Sequence, residues 1–377
     1  MYLRTDHHRQ ARRNRSPIEP VGDGLTFGGG LNIVGGRRLV TMQLIKYSSI
    51  ENTYREVFIE QVKAEGKDGG DWVVTEKVHG GQLSFYYNGS EMRASSRTMF
   101  LEPDADFFNY QKVMADNIVK VNELYGLLKK ERPELTDVIV YGELFGGSYA
   151  HPDVQKIKNA KRLQKGVEYH PDNLFYAFDI RANGNYLTVD HANRLFEETG
   201  LFYAKPLFRG TFEQCLKHAD DFPSKISQWL GLPPIADNIA EGIVIKPVEP
   251  CFIKGERVIL KAKNEKFKER KAVKKRPKKD KVKRSEKGKQ LQREMETLVT
   301  ENRLINVLSK RGELPTPVPK DIFGDIMKEF VHDVIEEFNK DFGNEFDQLD
   351  GKEQKMISKQ LNQWASKLVR GKMFTGS

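Results

Sequence analysis

The sequence predicts an α+β fold of mainly antiparallel sheets with helices, followed by a small all-α C-terminal domain. From Trp72 to about Lys263, short runs rich in β-branched and aromatic residues alternate with polar turns and helical stretches. After a basic run the composition shifts to Leu, Met, Glu, Lys and Gln, which are helix formers. The 377 residues, 38% of them hydrophobic, suffice for a sizeable core and two or three domains.

Residues 1–41 are rich in Gly, Arg and Pro and lack apolar periodicity, so a disordered leader or extension is expected there. A folded domain then opens at Met42. Its expected strands are WVVT (72–75), QLSFYY (82–87), DVIVYGELF (137–145), LFYAFDI (174–180), EGIVIKP (241–247) and RVILKAK (257–263), each of strand length. Helical patterns intervene at Asp106 to Lys130 and at His191 to Thr199. A basic hinge covers residues 271–285. The expected helices of the tail, residues 286–377, are Glu286 to Lys310, Lys320 to Phe342 and Lys352 to Val369, with Leu291, Met295, Leu298 and Val299 at helical spacing.

The net charge is +9, and it is uneven: Lys261 to Lys289 holds 16 Lys or Arg against four acids. Such a run points to a polyanionic partner. Two cysteines, Cys215 and Cys251, are too few for a disulfide framework or a paired zinc site, which suggests a reducing, intracellular compartment. Cytoplasm or host cytoplasm is favoured; the nuclear-import composition of KKRPKKDKVKR leaves the nucleus open, and the mitochondrion is left open as well. No apolar stretch approaches the length of a membrane span and none near the start resembles a signal peptide, so no membrane partner is expected.

The chemistry centres on Glu76-Lys77-Val78-His79-Gly80, directly after a strand. Lys77 at a strand end suits a nucleophile, and Gly80 suits the approach of a ligand to the backbone. A lysine is protonated near neutral pH, so a nucleophilic one needs desolvation or neighbouring cations. Lys246, Lys261 and Lys263 offer those cations, and the i, i+2 spacing of the last two puts both on one strand face. The same cations would neutralise phosphates. Glu143 and Glu241 flank apolar runs, and Phe178-Asp179 ends an aromatic one, so a purine could stack on the ring while carboxylates take ribose hydroxyls or orient the waters of magnesium.

In order, Lys77-Val-His-Gly, Tyr-Gly-Glu143, Phe178-Asp179-Ile, Glu241-Gly-Ile-Val-Ile-Lys246-Pro and Lys261-Ala-Lys263 resemble the five motifs of covalent nucleotidyltransferases. More narrowly they resemble the RNA ligase 2 family, which includes phage nick-sealing and kinetoplastid RNA-editing ligases. KYSSIEN, Ser96-Arg97-Thr98 and AKNEKFKER resemble that branch as well. The likeness runs from about Met42 to Arg270, and more loosely through the tail.

The resemblance implies an ATP-grasp-like ligase core and an ATP-dependent RNA ligase, a monomer that uses magnesium, or manganese in its place, and seals nicked or bridged RNA ends. It implies that Lys77 attacks the α-phosphate of ATP, that Lys261 and Lys263 contact phosphates, and that Glu143 binds ribose. Phe178 would stack on adenine, the backbone beside Glu76 would help read the base, and Arg97, Lys246, Glu241, Asp179 and His79 would complete the pocket. Glu241 and Asp179 are the implied metal-orienting pair. Gln82 departs from the branch, where Asn is usual, and displaces the amide by one methylene. Lys274, Lys275 and Arg276 in the hinge are expected to track an RNA phosphate backbone.

A DNA ligase or a capping guanylyltransferase would share the lysine core but continue into a β-rich barrel, unlike the helical tail here. A non-catalytic RNA-binding protein would account for the charge and leave the order of Lys77, Glu143, Glu241 and Lys246 unexplained.

Overall fold

The computed structural model describes residues 32–34, 37–39, 42–268, 285–312 and 318–374. Within the segment expected to be disordered, β1 (Asn32–Val34) and β2 (Arg37–Leu39) pair antiparallel with Val34 opposite Arg37. This ribbon belongs to the first of two compact units; everything below belongs to the second, which starts at Leu44.

That unit opens with β3 (Glu51–Asn52), α1 (Glu56–Ala64), β4 (Trp72–Glu76), β5 (Gly81–Tyr87) and β6 (Met92–Ser95). The chain then crosses α2 (Tyr110–Glu131) into the long strands β7 (Val138–Ser148) and β8 (His170–Ala182). β9 (Asn185–Tyr186), α3 (Val189–Glu198), β10 (Pro206–Gly210), α4 (Phe212–Leu216) and α5 (Ile226–Trp229) follow. β11 (Gly242–Pro247), the hairpin of β12 (Phe252–Ile253) and β13 (Glu256–Arg257), and β14 (Leu260–Lys263) complete the α+β region. α2 starts later than the sequence pattern suggests because Phe108 and Asn109 both take positive φ, which turns Phe107 and Phe108 into the core before the helix begins. RVILKAK is not one strand: Arg257 leaves with the hairpin, and only Leu260–Lys263 stays in the sheet.

Two five-stranded sheets result, ordered β10-β4-β11-β14-β3 and β6-β5-β7-β8-β9. All their pairings are antiparallel except β14 with β3. In the first sheet Trp72, Val74, Ile243, Ile245 and Leu260 turn to a core shared with Val62 of α1 and Phe212 of α4. Strand alternation therefore sends Thr75, Val244, Lys246, Lys261 and Lys263 to the opposite face. The second sheet buries Leu83, Phe85 and Val140 against α2 and α3.

The tail is helical, with α6 (Glu286–Leu298), α7 (Glu301–Ser309), α8 (Lys320–Phe342) and α9 (Gly351–Phe374). The stretch expected as one helix from Glu286 to Lys310 breaks at Thr300, which is extended and caps α7 by accepting from the Arg303 N–H. Leu291, Met295, Leu298 and Val299 are buried with Phe330, Phe338 and Leu361 in a separate core. No helix among the described residues is long and apolar enough to cross a membrane.

Candidate active site

Lys77 leaves the end of β4 with its N–H donating to the Gly242 carbonyl at 2.9 Å, which fixes it beside the start of β11. Its Nζ lies 2.9 Å from Glu241 Oε2. Lys263 Nζ approaches Oε1 of the same carboxylate at 2.9 Å, and His79 Nδ1 stands 3.5 Å from Oε2. Burial alone would raise the Glu241 carboxyl; Lys263, then Lys77 and His79, outweigh it and hold the group well below the usual carboxylate range. Lys77 thus sits in a cluster centred on the Glu241 carboxylate, with Lys263 and His79 on the same group.

Of the expected cations, Lys263 joins that cluster directly. Lys261 shares its strand face, two positions away. Lys246 stands opposite Val73 while Gly242 stands opposite Lys263, so it occupies the far end of β11, roughly 16 Å from Glu241 at strand spacing. There Lys246 Nζ donates to the Phe178 carbonyl at 2.6 Å and to Asp179 Oδ1 at 3.0 Å.

Asp179 is saturated. Arg257 Nη1 reaches Oδ2 at 2.8 Å and Nη2 reaches Oδ1 at 3.1 Å, with Lys246 on Oδ1 and the Tyr47 hydroxyl donating to Oδ2. Burial pushes this carboxyl upward, but Arg257 and Lys246 bring it down to about 2. With two donors on each oxygen, no lone pair is left for a metal-bound water, so pairing Asp179 with Glu241 as metal-orienting residues does not fit this arrangement. Among the described residues no group of three His, Cys, Asp or Glu side chains is placed to hold a metal ion.

The second sheet supplies the other wall. Gln82 stands opposite Glu143 across β5 and β7, and Arg97 Nη1 donates to Gln82 Oε1 at 3.1 Å. The longer amide at position 82 is therefore occupied in holding Arg97. Burial pushes the Glu143 carboxyl up to about 7, opposed by Lys77 and augmented by Glu241, which puts all three groups within electrostatic reach. Gly80 also serves the protein backbone, because a β-carbon there would lie 2.2 Å from the Leu144 carbonyl oxygen.

Phe178 is the extra residue of a β-bulge: Tyr141 pairs with Asp179 and Gly142 with Ala177, leaving Phe178 unopposed. A bulge re-aims a side chain, and this one holds the half-buried ring edge-on to Tyr47 at 5.0 Å. Gly142 permits the slip, since a β-carbon there would meet the Phe175 ring at 2.3 Å. Glu76 is buried; it accepts from Ser224 Oγ at 2.6 Å and the Lys225 N–H at 2.7 Å, while its own carbonyl accepts from the Tyr176 hydroxyl at 3.3 Å. Burial raises its carboxyl to about 7.

Lys274, Lys275 and Arg276 lie outside the described residues. Sequence reasoning missed Arg257, Tyr47 and Phe267, whose ring stands edge-on to His79 at 5.2 Å. KYSSIEN and AKNEKFKER contain the last two, but nothing local marks Arg257. Cys215 and Cys251 are free thiols, and burial pushes Cys215 up to about 11 and Cys251 upward, the opposite of what a nucleophilic thiolate requires.

Two sheets thus present a strand-end lysine against a buried glutamate, with strand lysines on the same face. The chain belongs to the RNA ligase family: the family model described as RNA ligase matches residues 70–263, and one described as T4 RNA ligase 2 C-terminal matches residues 281–367. It is similar to the mitochondrial RNA-editing ligase 2 of Trypanosoma brucei brucei (strain 927/4 GUTat10.1), 32% identical over 228 residues that cover 53% of this chain and 54% of that protein. RNA-editing ligase 1, mitochondrial, of Trypanosoma brucei brucei is 29% identical over 222 residues, covering 50% and 47%. The chain spans about half the length of the curated relatives it matches. Among solved structures, a Naegleria gruberi RNA ligase mutant with ATP and Mn aligns with a TM-score of 0.40 and 18% identity over 59% of this chain and 57% of that one. The same ligase with PPi aligns at 0.39 and 19% over the same shares.

Proposed function

We propose that the chain is an ATP-dependent RNA ligase that joins a 3′-hydroxyl to a 5′-phosphate through AMP carried on Lys77, at nicks in duplex RNA, in RNA repair or editing. The observation that carries this is the Lys77 ammonium held at a strand end by the buried Glu241, with Lys263 on the carboxylate's other oxygen, in a chain of this family.

Lys77, once it leaves Glu241 and gives up a proton, attacks the α-phosphorus of ATP; the N–P bond forms as the bond to pyrophosphate breaks. The RNA 5′-phosphate then displaces Lys77, and the 3′-hydroxyl displaces AMP. Lys261 and Lys263, on the Lys77 side of the sheet, would neutralise phosphate charge in each displacement. Glu143 and Arg97 would hold ribose and phosphate, Phe178 the base, and the Glu76 backbone the base edge. His79 would steady Glu241. Glu241, once released by Lys77, would be the residue to hold a divalent metal through a water, and the metal would supply neutralisation of phosphate charge. Lys246 and Asp179 would support the pocket from the far end of β11.

Residues 42–270 would form the nucleotidyltransferase domain, 271–285 the basic hinge and 286–377 the helical domain. RNA as the partner is supported by α9, which from Gln354 onward carries Lys355, Lys359, Lys367, Arg370 and Lys372 and no acid. Lys359, Asn362, Gln363, Ser366, Lys367 and Arg370 line one open groove there.

The test is incubation with α-labelled ATP or GTP and magnesium, then a denaturing gel, for wild type and Lys77→Ala. Label from ATP on wild type alone is expected. Label from GTP would mean capping chemistry, and no label on folded protein would return the chain to a non-catalytic RNA binder.

A further inference from the structure

The connection from β7 to β8, residues 149–169, contains neither helix nor strand. Loops of that length are uncommon in compact domains and are usually functional. From Gln155 to Lys165 this one carries Lys156, Lys158, Lys161, Arg162 and Lys165 and no acid. Lys161 pairs with Asp106 and Arg162 with Glu168. Lys156, Lys158 and Lys165 are exposed and have no ion-pair partner among the described residues.

A basic run is often only a solvated face, but buried amides hold this one in place. Asn173 of β8 is wholly buried, and its side chain is given over to the loop. Its Nδ2 donates to the Lys161 carbonyl at 2.7 Å, and its Oδ1 accepts from the Lys161 N–H and from Asn109 Nδ2, each at 2.9 Å. Asn109 Nδ2 also donates to the Asn159 carbonyl at 2.6 Å. Asn238 accepts from the Glu168 N–H at 2.8 Å and donates to the Glu168 carbonyl at 2.6 Å. Satisfied buried polar groups rigidify the segment they hold.

The segment so fixed lies against the turn that follows Lys77. Leu163 is buried in one core with Leu83 of β5. Gln164 Nε2 donates to the Gly80 carbonyl at 3.4 Å, and Val167 shares a buried cluster with Val78 and Phe267. Lys165 stands between those two anchors, and the exposed Lys266 donates to the neighbouring Gly166 carbonyl at 2.9 Å.

We propose that the β7–β8 loop is a second RNA-binding surface, separate from α9, whose Lys156, Lys158 and Lys165 neutralise the phosphates next to the break being sealed. This rests on the proposed ligase function. Exposed, unpaired ammonium groups held beside a site that acts on RNA ends meet phosphate charge there, and pairing with it releases counterions. The loop acts when RNA arrives, after Lys77 has taken AMP.

The experiment uses the full chain with Lys156, Lys158 and Lys165 all changed to Ala, or all to Arg, and a nicked RNA duplex titrated at several salt concentrations. Both variants should still take label from ATP, which shows that they are folded. In the Ala variant the slope of log affinity against log salt should become shallower by roughly 0.7–0.9 for each phosphate released, and the Arg variant should return it to the wild-type value. Neutral methylphosphonates at the phosphates next to the break should weaken wild-type binding and leave binding by the Ala variant unchanged. An unaltered slope would overturn the proposal and leave the loop as a surface for an acidic protein. Equal weakening of both chains by the methylphosphonates would also overturn it, by placing the loop elsewhere on the duplex. A wild type that never takes label would sink the ligase function and, with it, the placement beside a break, whereas a labelled wild type with an unaltered slope sinks only this proposal.

Discussion

Asp179 and Arg257 meet in a bidentate pair, with distances of 2.8 and 3.1 Å and both side chains 1% exposed. The pair ties β8 of one sheet to the hairpin that leaves the other, with Lys246 and Tyr47 filling the remaining positions on the carboxylate. Asp179→Asn should cost about 3–5 kcal/mol, because it strands two buried cations. Chemical denaturation checks this. The Asp179 carboxyl is held at about 2, below its ordinary 3.8, so its stabilising contribution is fully present above about pH 4 and is lost as pH falls through 2. Asp179→Asn should lack that acid-side loss.

Glu76 and Glu143 behave in the opposite sense. Each carboxyl is raised by burial from 4.5 to about 7. The folded protein then binds more protons than the unfolded chain between those values, so stability should fall as pH rises from about 4.5 to 7 and level off above. Glu76→Gln, which keeps an acceptor for Ser224, should flatten part of that slope, by up to about 1.4 kcal/mol per pH unit. An unchanged slope in denaturation curves at pH 5, 6, 7 and 8 would count against it.

Gly142→Ala tests the bulge. Its β-carbon would meet the Phe175 ring at 2.3 Å and the Tyr176 carbonyl oxygen at 2.7 Å, and the carbonyl cannot withdraw without moving β8. A loss of about 1–3 kcal/mol is expected, together with a raised KM for ATP as Phe178 shifts. A variant with wild-type stability and KM would show that the bulge does not depend on this glycine.

Glu241→Gln and Lys263→Ala should each reduce lysyl-AMP formation roughly 100-fold or more, the usual scale for removing one electrostatic group from a charge-stabilising site. Label incorporation at saturating ATP measures it. An effect confined to KM would instead assign them to ground-state binding.

On α9, replacing Lys359, Lys367 and Arg370 together by Ala should leave lysyl-AMP formation intact and weaken nicked-duplex binding. The slope of log affinity against log salt should become shallower by about 0.9 for each phosphate that these side chains neutralise. Titration at several salt concentrations decides it, and an unaltered slope would remove α9 from the RNA surface.

The sequence by itself determined the α+β class, most strand positions, the helical tail and the order of the chemical residues. Those features are local: β-branched runs, helix-forming composition and strand-end motifs act within a few residues of chain. Lys77 and Lys263 were legible for that reason. Only the tertiary structure decided which charges meet. It set Glu241 against Lys77, moved Lys246 to the other end of β11, and saturated Asp179 with Arg257 from 78 residues away. It also made Phe178 a bulge residue and brought Glu337 to Asn52. An ion pair's worth depends on distance and burial, and both are set by strand register and sheet packing, which no run of neighbouring residues encodes.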